Sequence, residues 1–166
     1  MIVLGIDPGT SRTGFAVIRQ TKSKVKPIEF GCWDIQNKTQ YQKLNIIFNN
    51  LTKLITKYHP DLFAVERLFF FKNAKTVMTV SEARGVLLLA ANKKKLDIVE
   101  ITPLEVKQYL LGYGRSEKLQ VQKFVAMYLD LKTIPKPDDV ADALAICLAG
   151  IIKKSKQNKQ SKQKIK

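Results

Sequence analysis

Four carboxylates occupy positions at which acidic residues are uncommon. Asp7 and Glu66 each come directly after a short apolar run, while Asp139 and Asp142 are spaced i, i+3 at the start of an otherwise almost wholly apolar segment. The carboxyl ends of strands in α/β proteins face the crevice in which ligands bind, and residues three apart share one face of a helix. The four side chains can therefore converge on one site.

Clustered carboxylates of this kind indicate metal-dependent chemistry. Two carboxylates 4 Å apart repel each other by roughly 4 kcal/mol at an effective dielectric constant of about 20, so the cluster favours a neutralising cation. Oxygen ligands without histidine or thiolate suit Mg²⁺, with Mn²⁺ able to replace it. Two such ions about 4 Å apart stabilise the attacking and leaving oxygens of a phosphoryl displacement. The pattern predicts a nuclease site.

Each acid also has a simpler structural interpretation. Asp7 or Glu66 can form a turn or cap a helix, and Asp138, Asp139 and Asp142 can complement the positive end of a helix dipole. We assign that dipole role to Asp138. Asp142 lies a full turn inside the predicted helix, where capping no longer explains an acid, and this favours the site interpretation.

The charge balance points to a polyanionic partner. The chain has 166 residues, with 29 Lys and Arg against 14 Asp and Glu, a net charge of +15 and a pI of about 9.9. Its apolar content of 45% is typical of a globular protein. We expect one domain over 1–152 and a Lys-rich, disordered tail over 153–166. The tail either solubilises the protein or contacts phosphates.

Cysteine and histidine are scarce. Cys32 and Cys147 lie far apart in apolar surroundings, which is typical of reduced, buried thiols in a cytosolic protein. Together with His59, the single histidine, they are too few for a structural zinc site. The longest apolar run, 143–152, is about half of the roughly 20 residues that span a bilayer, and the N-terminus lacks the basic segment of a signal peptide. We expect no membrane partner and a cytoplasmic location.

Hydrophobic periodicity predicts an α/β fold. Short apolar runs bounded by Gly, Pro or polar residues predict strands, and apolar spacings of three and four predict helices. The predicted strands cover 2–6, 15–19, 27–34, 62–65 and 97–101, and the predicted helices cover 41–58, 76–91, a segment opening at Thr102-Pro103, a segment from Ser116 as its cap to Tyr128, and a last one opening at Asp138. Strands come first and then alternate with helices, so we expect a mixed sheet with an antiparallel N-terminal hairpin, parallel strands and flanking helices.

The most specific local signal is the glycine-containing stretch Gly5-Ile-Asp-Pro-Gly-Thr-Ser-Arg-Thr-Gly14. It resembles the N-terminal motif of RuvC-type Holliday-junction resolvases. It also resembles the phosphate loop of actin-like sugar kinases and Hsp70-type ATPases, which share an RNase H-like core. Those families need two such domains and more than twice this length, so the length favours the resolvases.

Further motifs extend the resemblance to the resolvases over nearly the whole chain. They are Pro60-Asp-Leu-Phe-Ala-Val-Glu66 with Phe69 and Lys72-Asn73-Ala74, Ala83-Arg84-Gly85, Val106-Lys-Gln108, Gly112-Tyr-Gly114 with Glu117-Lys118 and Val121-Gln122, and Asp139-Val-Ala-Asp142-Ala-Leu-Ala. The resemblance implies an RNase H-like fold and a Mg²⁺-dependent endonuclease that resolves four-way DNA junctions in recombination and repair.

The resemblance also implies roles for single residues. It assigns Asp7, Glu66, Asp139 and Asp142 as the catalytic, metal-binding set, with two ions per active site. It implies that Lys107 and Lys118 lie near the scissile phosphate and that Phe69 stacks on an unpaired base at the junction centre. We interpret the neighbouring Phe70 and Phe71 as a hydrophobic cluster or dimer contact.

The partners implied by the resemblance are a second copy of the chain and a branch-migration complex. The predicted helix 76–91 is very apolar for a surface helix, and we take it as the candidate dimer contact. Two other classes of function stay open at this stage. A non-catalytic junction-binding protein would use the basic surface, and a nucleotide-binding ATPase fragment would use the glycine loop.

Overall fold

The structure is a computed structural model that describes residues 1–67 and 74–163. Five strands and five helices follow one another in this part of the chain. They are β1 Ile2–Pro8, β2 Arg12–Gln20, β3 Val25–Asp34, α1 Gln40–Tyr58, β4 Leu62–Glu66, α2 Ala74–Lys93, β5 Asp97–Ile101, α3 Pro103–Leu111, α4 Lys118–Tyr128 and α5 Asp138–Gln163. Phe69, Phe70 and Phe71 lie outside the described residues, so the predictions made for them stay predictions.

The strands form one mixed sheet in the order β3-β2-β1-β4-β5. β1 pairs antiparallel with β2, and β2 with β3, whereas β1 pairs parallel with β4, and β4 with β5. The predicted α/β fold, with its antiparallel N-terminal hairpin and parallel strands, is confirmed. The parallel register sets Ile6 beside Val65, so the two residues that follow them, Asp7 and Glu66, come out at the same edge.

Helices cover both faces of the sheet, and successive strand residues point to opposite faces, so neighbouring residues enter different cores. Val3 and Ala64 pack in the core that includes α3, α4 and α5. Leu4 and Val65, each one residue further along, pack in the core with α1 and α2. This double coverage explains why β1 and β4 appear in the sequence as continuous apolar runs rather than alternating ones.

Helix α5 packs on β1 and β2 at very close range. A Cβ at Gly14 would overlap the main-chain carbonyl of Asp139, and a Cβ at Gly5 would overlap the thiol of Cys147. Gly14 pairs with Asp7 across the hairpin. The small residue at position 14 therefore lets the first turn of α5 lie directly beside the strand end that carries Asp7.

Helix α4 begins differently from the prediction. Ser116 is not its cap: the helix begins at Lys118, and the N-cap residue is Glu117. The Ser116 hydroxyl donates instead to the Tyr113 carbonyl at 2.6 Å, within the turn that follows α3. The Glu117 amide donates to the Gln120 side chain at 2.7 Å. By contrast, Thr102 caps α3 as predicted, with its hydroxyl accepting from the Glu105 amide at 3.1 Å.

The predicted disorder of the Lys-rich tail is wrong for 153–163, which continue α5 as helix. Lysine and glutamine favour helix, and a helix already nucleated extends at little cost. The first turn of this extension is also anchored. Lys153 Nζ donates to the Glu105 carboxylate at 2.6 Å and to the Glu100 carbonyl at 2.8 Å, and Lys154 pairs with Asp97.

The two cysteines are free thiols, as expected from their spacing. Cys147 is fully buried under the sheet, whereas Cys32 is half-buried, so the prediction of two buried thiols is right for Cys147 only. The exposed His59 ends α1 in the left-handed conformation, in agreement with its predicted place at a helix end. In the described part of the chain, no helix combines the length and apolar character needed to cross a bilayer.

Candidate active site

Asp7 and Glu66 lie side by side at the carboxyl ends of β1 and β4, as the parallel register requires. Their carboxyl groups share a hydrogen bond. Burial, followed by this bond and the charge of Glu66, raises the pKa of Asp7 well above its usual range. Burial also raises the pKa of Glu66, and the charge of Asp142 adds to that rise. The pair is therefore held in surroundings that oppose a second negative charge.

Helix α5 brings Asp139 and Asp142 to the same edge of the sheet. Asp142 Oδ2 lies 2.7 Å from Lys118 Nζ of α4. Burial raises the pKa of Asp142 against the opposing effect of Lys118. Asp139 Oδ2 lies 4.0 Å from the guanidinium of Arg12, and its charge contributes to the raised pKa of Asp7. The charges of Glu66, Asp139 and Asp142 thus all raise the pKa of Asp7, so the four predicted carboxylates lie in one region of the protein.

The central part of this region is a cavity of about 200 Å³. Five of the residues that line it were predicted from the sequence as site residues: Asp7, Glu66, Asp142, Lys107 and Lys118. Asp139 is not part of this lining and lies nearer to Arg12. The apolar wall comes from α3, α4 and α5 and includes Val106, Val121 and Ile146. Apolar walls around carboxylates strengthen every charge interaction inside the cavity.

The donor chemistry of this cavity fits a hard divalent cation. The side chains offer carboxylate oxygens alone, and their raised pKa values reflect desolvated negative charge that a cation would stabilise. The carboxylates do not form a complete metal-binding arrangement in this structure, however. Among the described residues, no group of three His, Cys, Asp or Glu side chains is arranged to hold a metal ion. The ammonium of Lys118 offsets part of their mutual repulsion instead.

Three residues that contact the site were not predicted to do so. Asp138, predicted only to complement the helix dipole, lies 3.8 Å from Lys118 Nζ and accepts from Lys136 Nζ at 2.7 Å. Arg12 stands beside Asp139. Arg84 of α2 donates to the Glu66 carbonyl at 3.4 Å and pairs with Glu100. The motifs containing Arg12 and Arg84 were visible, but their charge partners lie far away in the sequence.

Comparisons with known proteins show the family to which the chain belongs. The family model for crossover junction endodeoxyribonuclease RuvC matches residues 3–150. The crossover junction endodeoxyribonuclease RuvC of Halothermothrix orenii is 48% identical over 149 residues, which are 89% of this chain and 90% of that protein. The RuvC of Ruminiclostridium cellulolyticum is 47% identical, with the same shares of both chains covered.

Solved structures give the same result for the fold. Thermus thermophilus RuvC superposes with a TM-score of 0.82 at 29% identity, covering 90% of this chain and 92% of that one. The same protein in complex with a Holliday junction substrate gives 0.81 at 28% identity, with the same coverage. The predicted RNase H-like fold is confirmed. With its family model matched from strand β1 into helix α5 and close relatives across nine-tenths of their length, the chain belongs to the RuvC family of crossover junction endodeoxyribonucleases.

Proposed function

We propose that this chain resolves four-way (Holliday) DNA junctions by paired symmetric nicks during recombination and repair. The observation that carries the proposal is the cavity in which Asp7, Glu66 and Asp142 stand beside Lys107 and Lys118, within a chain matched to crossover junction endodeoxyribonucleases over 3–150. A related protein, Thermus thermophilus RuvC, has been solved with a Holliday junction substrate. The net charge of +15 suits a nucleic-acid partner.

Asp7, Glu66, Asp139 and Asp142 would hold Mg²⁺, or Mn²⁺ in its place, with two ions per active site. Such ions, when bound, lower the pKa of water and stabilise charge on phosphoryl oxygens. The chain's own residues do the rest. The apolar wall strengthens charge interactions around the carboxylates, and Lys107 and Lys118 supply positive charge near the scissile phosphate, where negative charge develops in the transition state. We expect no covalent enzyme intermediate and 5′-phosphate ends.

A homodimer is part of the proposal, because symmetric cutting of a four-way junction needs two active sites related by a two-fold axis. Helix α2 is the candidate contact. Its Leu87 is buried in the core, whereas Met78 and Leu89 are 69% and 56% exposed. Stacking of Phe69 on an unpaired base, cooperation with a branch-migration complex and a cytoplasmic location also stay proposals.

The test is incubation of the protein with an immobile four-way junction, with and without Mg²⁺, and mapping of the cuts on all strands. We expect Mg²⁺-dependent nicks at symmetric positions in two opposing strands. Asp7→Asn should abolish them while junction binding persists. Asp130→Asn is the matched control, because it makes the same charge change at an exposed turn residue whose positive φ asparagine tolerates. Binding without cutting by the unmodified protein would favour a non-catalytic junction-binding protein instead.

A further inference from the structure

A long groove lies at the end of the sheet opposite the carboxylates. Here β1 begins after Met1, β2 ends at Gln20 and β3 begins at Val25. Three cavities of about 390, 290 and 550 Å³ open side by side. The first shares Gln20 and Lys159 with the second, and Val25 and Tyr128 with the third. The three cavities therefore form one continuous depression, which we call the distal groove.

The floor of the distal groove is apolar and aromatic. It is lined by Tyr109 of α3, Phe124 and Tyr128 of α4, and Ile151 and Ile152 of α5. Tyr128 is 53% exposed although it lies among these apolar side chains. Contiguous apolar surface that stays open to water on a soluble protein typically marks an interaction site.

The rim of the groove is basic. The exposed lysines Lys24 and Lys26 stand on one side, and Lys156 and Lys159 of α5 stand on the other. In the described ranges, none of these four forms an ion pair with a carboxylate, and Asp130 is the one acid lining any of the three cavities. The neighbouring Lys153, by contrast, pairs with Glu105. Positive charge at the rim is thus available to an acidic partner.

The aromatic rings favour a peptide over a single-stranded nucleic acid. Binding by base stacking needs open ring faces. Phe124 and Tyr128 stack on each other, with centroids 5.6 Å apart, and Lys156 Nζ lies 4.4 Å from the centroid of the Tyr109 ring. One face of each ring is therefore already covered. The remaining lining, with aliphatic side chains between rings, suits the apolar side chains of a protein segment.

The distal groove is also separate from the nuclease cavity. The two share no lining residue: the nuclease cavity lies at the carboxyl ends of β1 and β4, and the distal groove lies by Met1, Gln20 and Val25, although neighbouring turns of α3, α4 and α5 contribute to both. We propose that the distal groove binds a short segment of another protein in which large apolar side chains are flanked by aspartate or glutamate. The apolar side chains fill the floor, and the flanking acids pair with the rim lysines. This inference does not depend on nuclease activity.

Peptide selection tests the proposal. A random dodecapeptide library displayed on phage is selected against the full chain, and one enriched peptide is synthesised with a fluorescein label for anisotropy. We expect enriched peptides to carry at least two large apolar residues flanked by acids. Replacing those apolar residues by serine at unchanged charge should weaken binding about tenfold or more. Equal binding of the serine peptide would overturn the proposal, because net charge alone would then explain it.

Variants of the protein test whether the selected peptide binds in the distal groove. Tyr128→Ser and Lys159→Glu should each lower the affinity for the labelled peptide about tenfold. Lys53→Glu makes the same charge change at an exposed position of α1 and should leave this affinity within about twofold of the unmodified protein. Thermal unfolding checks that each variant is folded, and Lys159 is exposed on a helix, so at least one variant stays informative. Failure to enrich acidic peptides, or equal binding by both groove variants, would overturn the proposal. So would labelled oligo(dT) that binds the groove while the peptide does not.

Discussion

Two groups of acidic side chains in this protein differ in how their charge is offset. At the nuclease cavity, burial raises the pKa of Asp7, Glu66 and Asp142. Between α3 and α5, burial alone would also raise the pKa of Glu105, but bonds from Lys153 and Thr102 lower it instead. The first group opposes its own ionisation, whereas the second is stabilised when charged. This contrast is typical of a functional site beside a structural ion pair.

The same Glu→Gln substitution, made once at the cavity and once at the ion pair, gives the largest expected difference between the two groups. Glu66→Gln removes a cavity carboxylate, and we expect the rate of junction cleavage to fall about 10³-fold or more, since ligands of this kind stabilise the transition state by several kcal/mol. Its thermal stability should be unchanged or higher, because a repulsive buried charge is gone. Glu105→Gln should keep the cleavage rate. Cleavage timecourses on an immobile junction and melting curves measure both effects.

Retained cleavage in Glu66→Gln, or lost cleavage in a folded Glu105→Gln, would contradict the division into functional and structural acids. Glutamine can still accept the amide hydrogen bond at the start of α3 that Glu105 accepts from Thr102. Glu105→Gln therefore keeps the cap and, like Glu66→Gln, tests the loss of one carboxylate charge.

A smaller effect is expected at Asp138, which has a lowered pKa as Glu105 does but contacts Lys118 of the nuclease cavity. It is half-buried, and its pKa is lowered chiefly by Lys136, yet it also faces Lys118. We expect Asp138→Asn to reduce kcat/KM for junction cleavage by about three- to tenfold, because Lys118 would be held by Asp142 alone among these acids. Steady-state cleavage kinetics measure this change.

Asp138→Glu is the conservative control and should recover most of the rate, since it restores a carboxylate near Lys118. A purely structural role at the start of α5 would instead shift the melting temperature and leave kcat/KM unchanged, because a first-turn acid stabilises a helix by about 0.3–1 kcal/mol.

The contrast between the two groups also marks the limit of what the sequence predicts. The convergence of Asp7 and Glu66 could be anticipated, because each follows an apolar run predicted to be a strand, and the parallel pairing of β1 with β4 completes it. The ion pair of Lys153 with Glu105 joins residues 48 positions apart. Nothing local indicates it, and the helix was therefore predicted to end too early.

The start of α4 and the role of Asp138 were missed for a similar reason. A hydroxyl such as that of Ser116 can cap a helix or bond within a turn, and only the arrangement of the 112–114 turn decides between them. Likewise, Asp138 is a sound first-turn acid by sequence, and its second contact depends on where α4 places Lys118. Alternatives of this kind are decided by tertiary contacts rather than by propensity.

A double-mutant cycle measures how much the ion pair of Lys153 with Glu105 contributes to stability. Glu105→Gln and Lys153→Gln should each lower the free energy of unfolding by about 1 kcal/mol, a modest effect because the pair is partly exposed and screened by water. The double variant should lose less than the sum, because both changes remove the same contact. Urea denaturation measures all four proteins. Strict additivity would show that the contact does not contribute to stability. The Lys57–Glu29 pair on another part of the surface provides a reference cycle.

The smallest expected effect is the pH dependence of that same contribution. Because the pKa of Glu105 is lowered on folding, its stabilisation is complete above the unfolded value of about 4.3 and is lost as the pH falls through the lower folded value. The difference in unfolding free energy between the unmodified protein and Glu105→Gln should therefore be about 1 kcal/mol at pH 7 and should shrink as the pH falls below the unfolded value and through the lower folded one. Asp7 and Glu66 work in the opposite direction, since a raised pKa favours folding as carboxylates take up protons. Subtracting the Glu105→Gln curve from that of the unmodified protein cancels this opposing contribution, so a difference that grew on acidification would place Glu105 with the cavity acids.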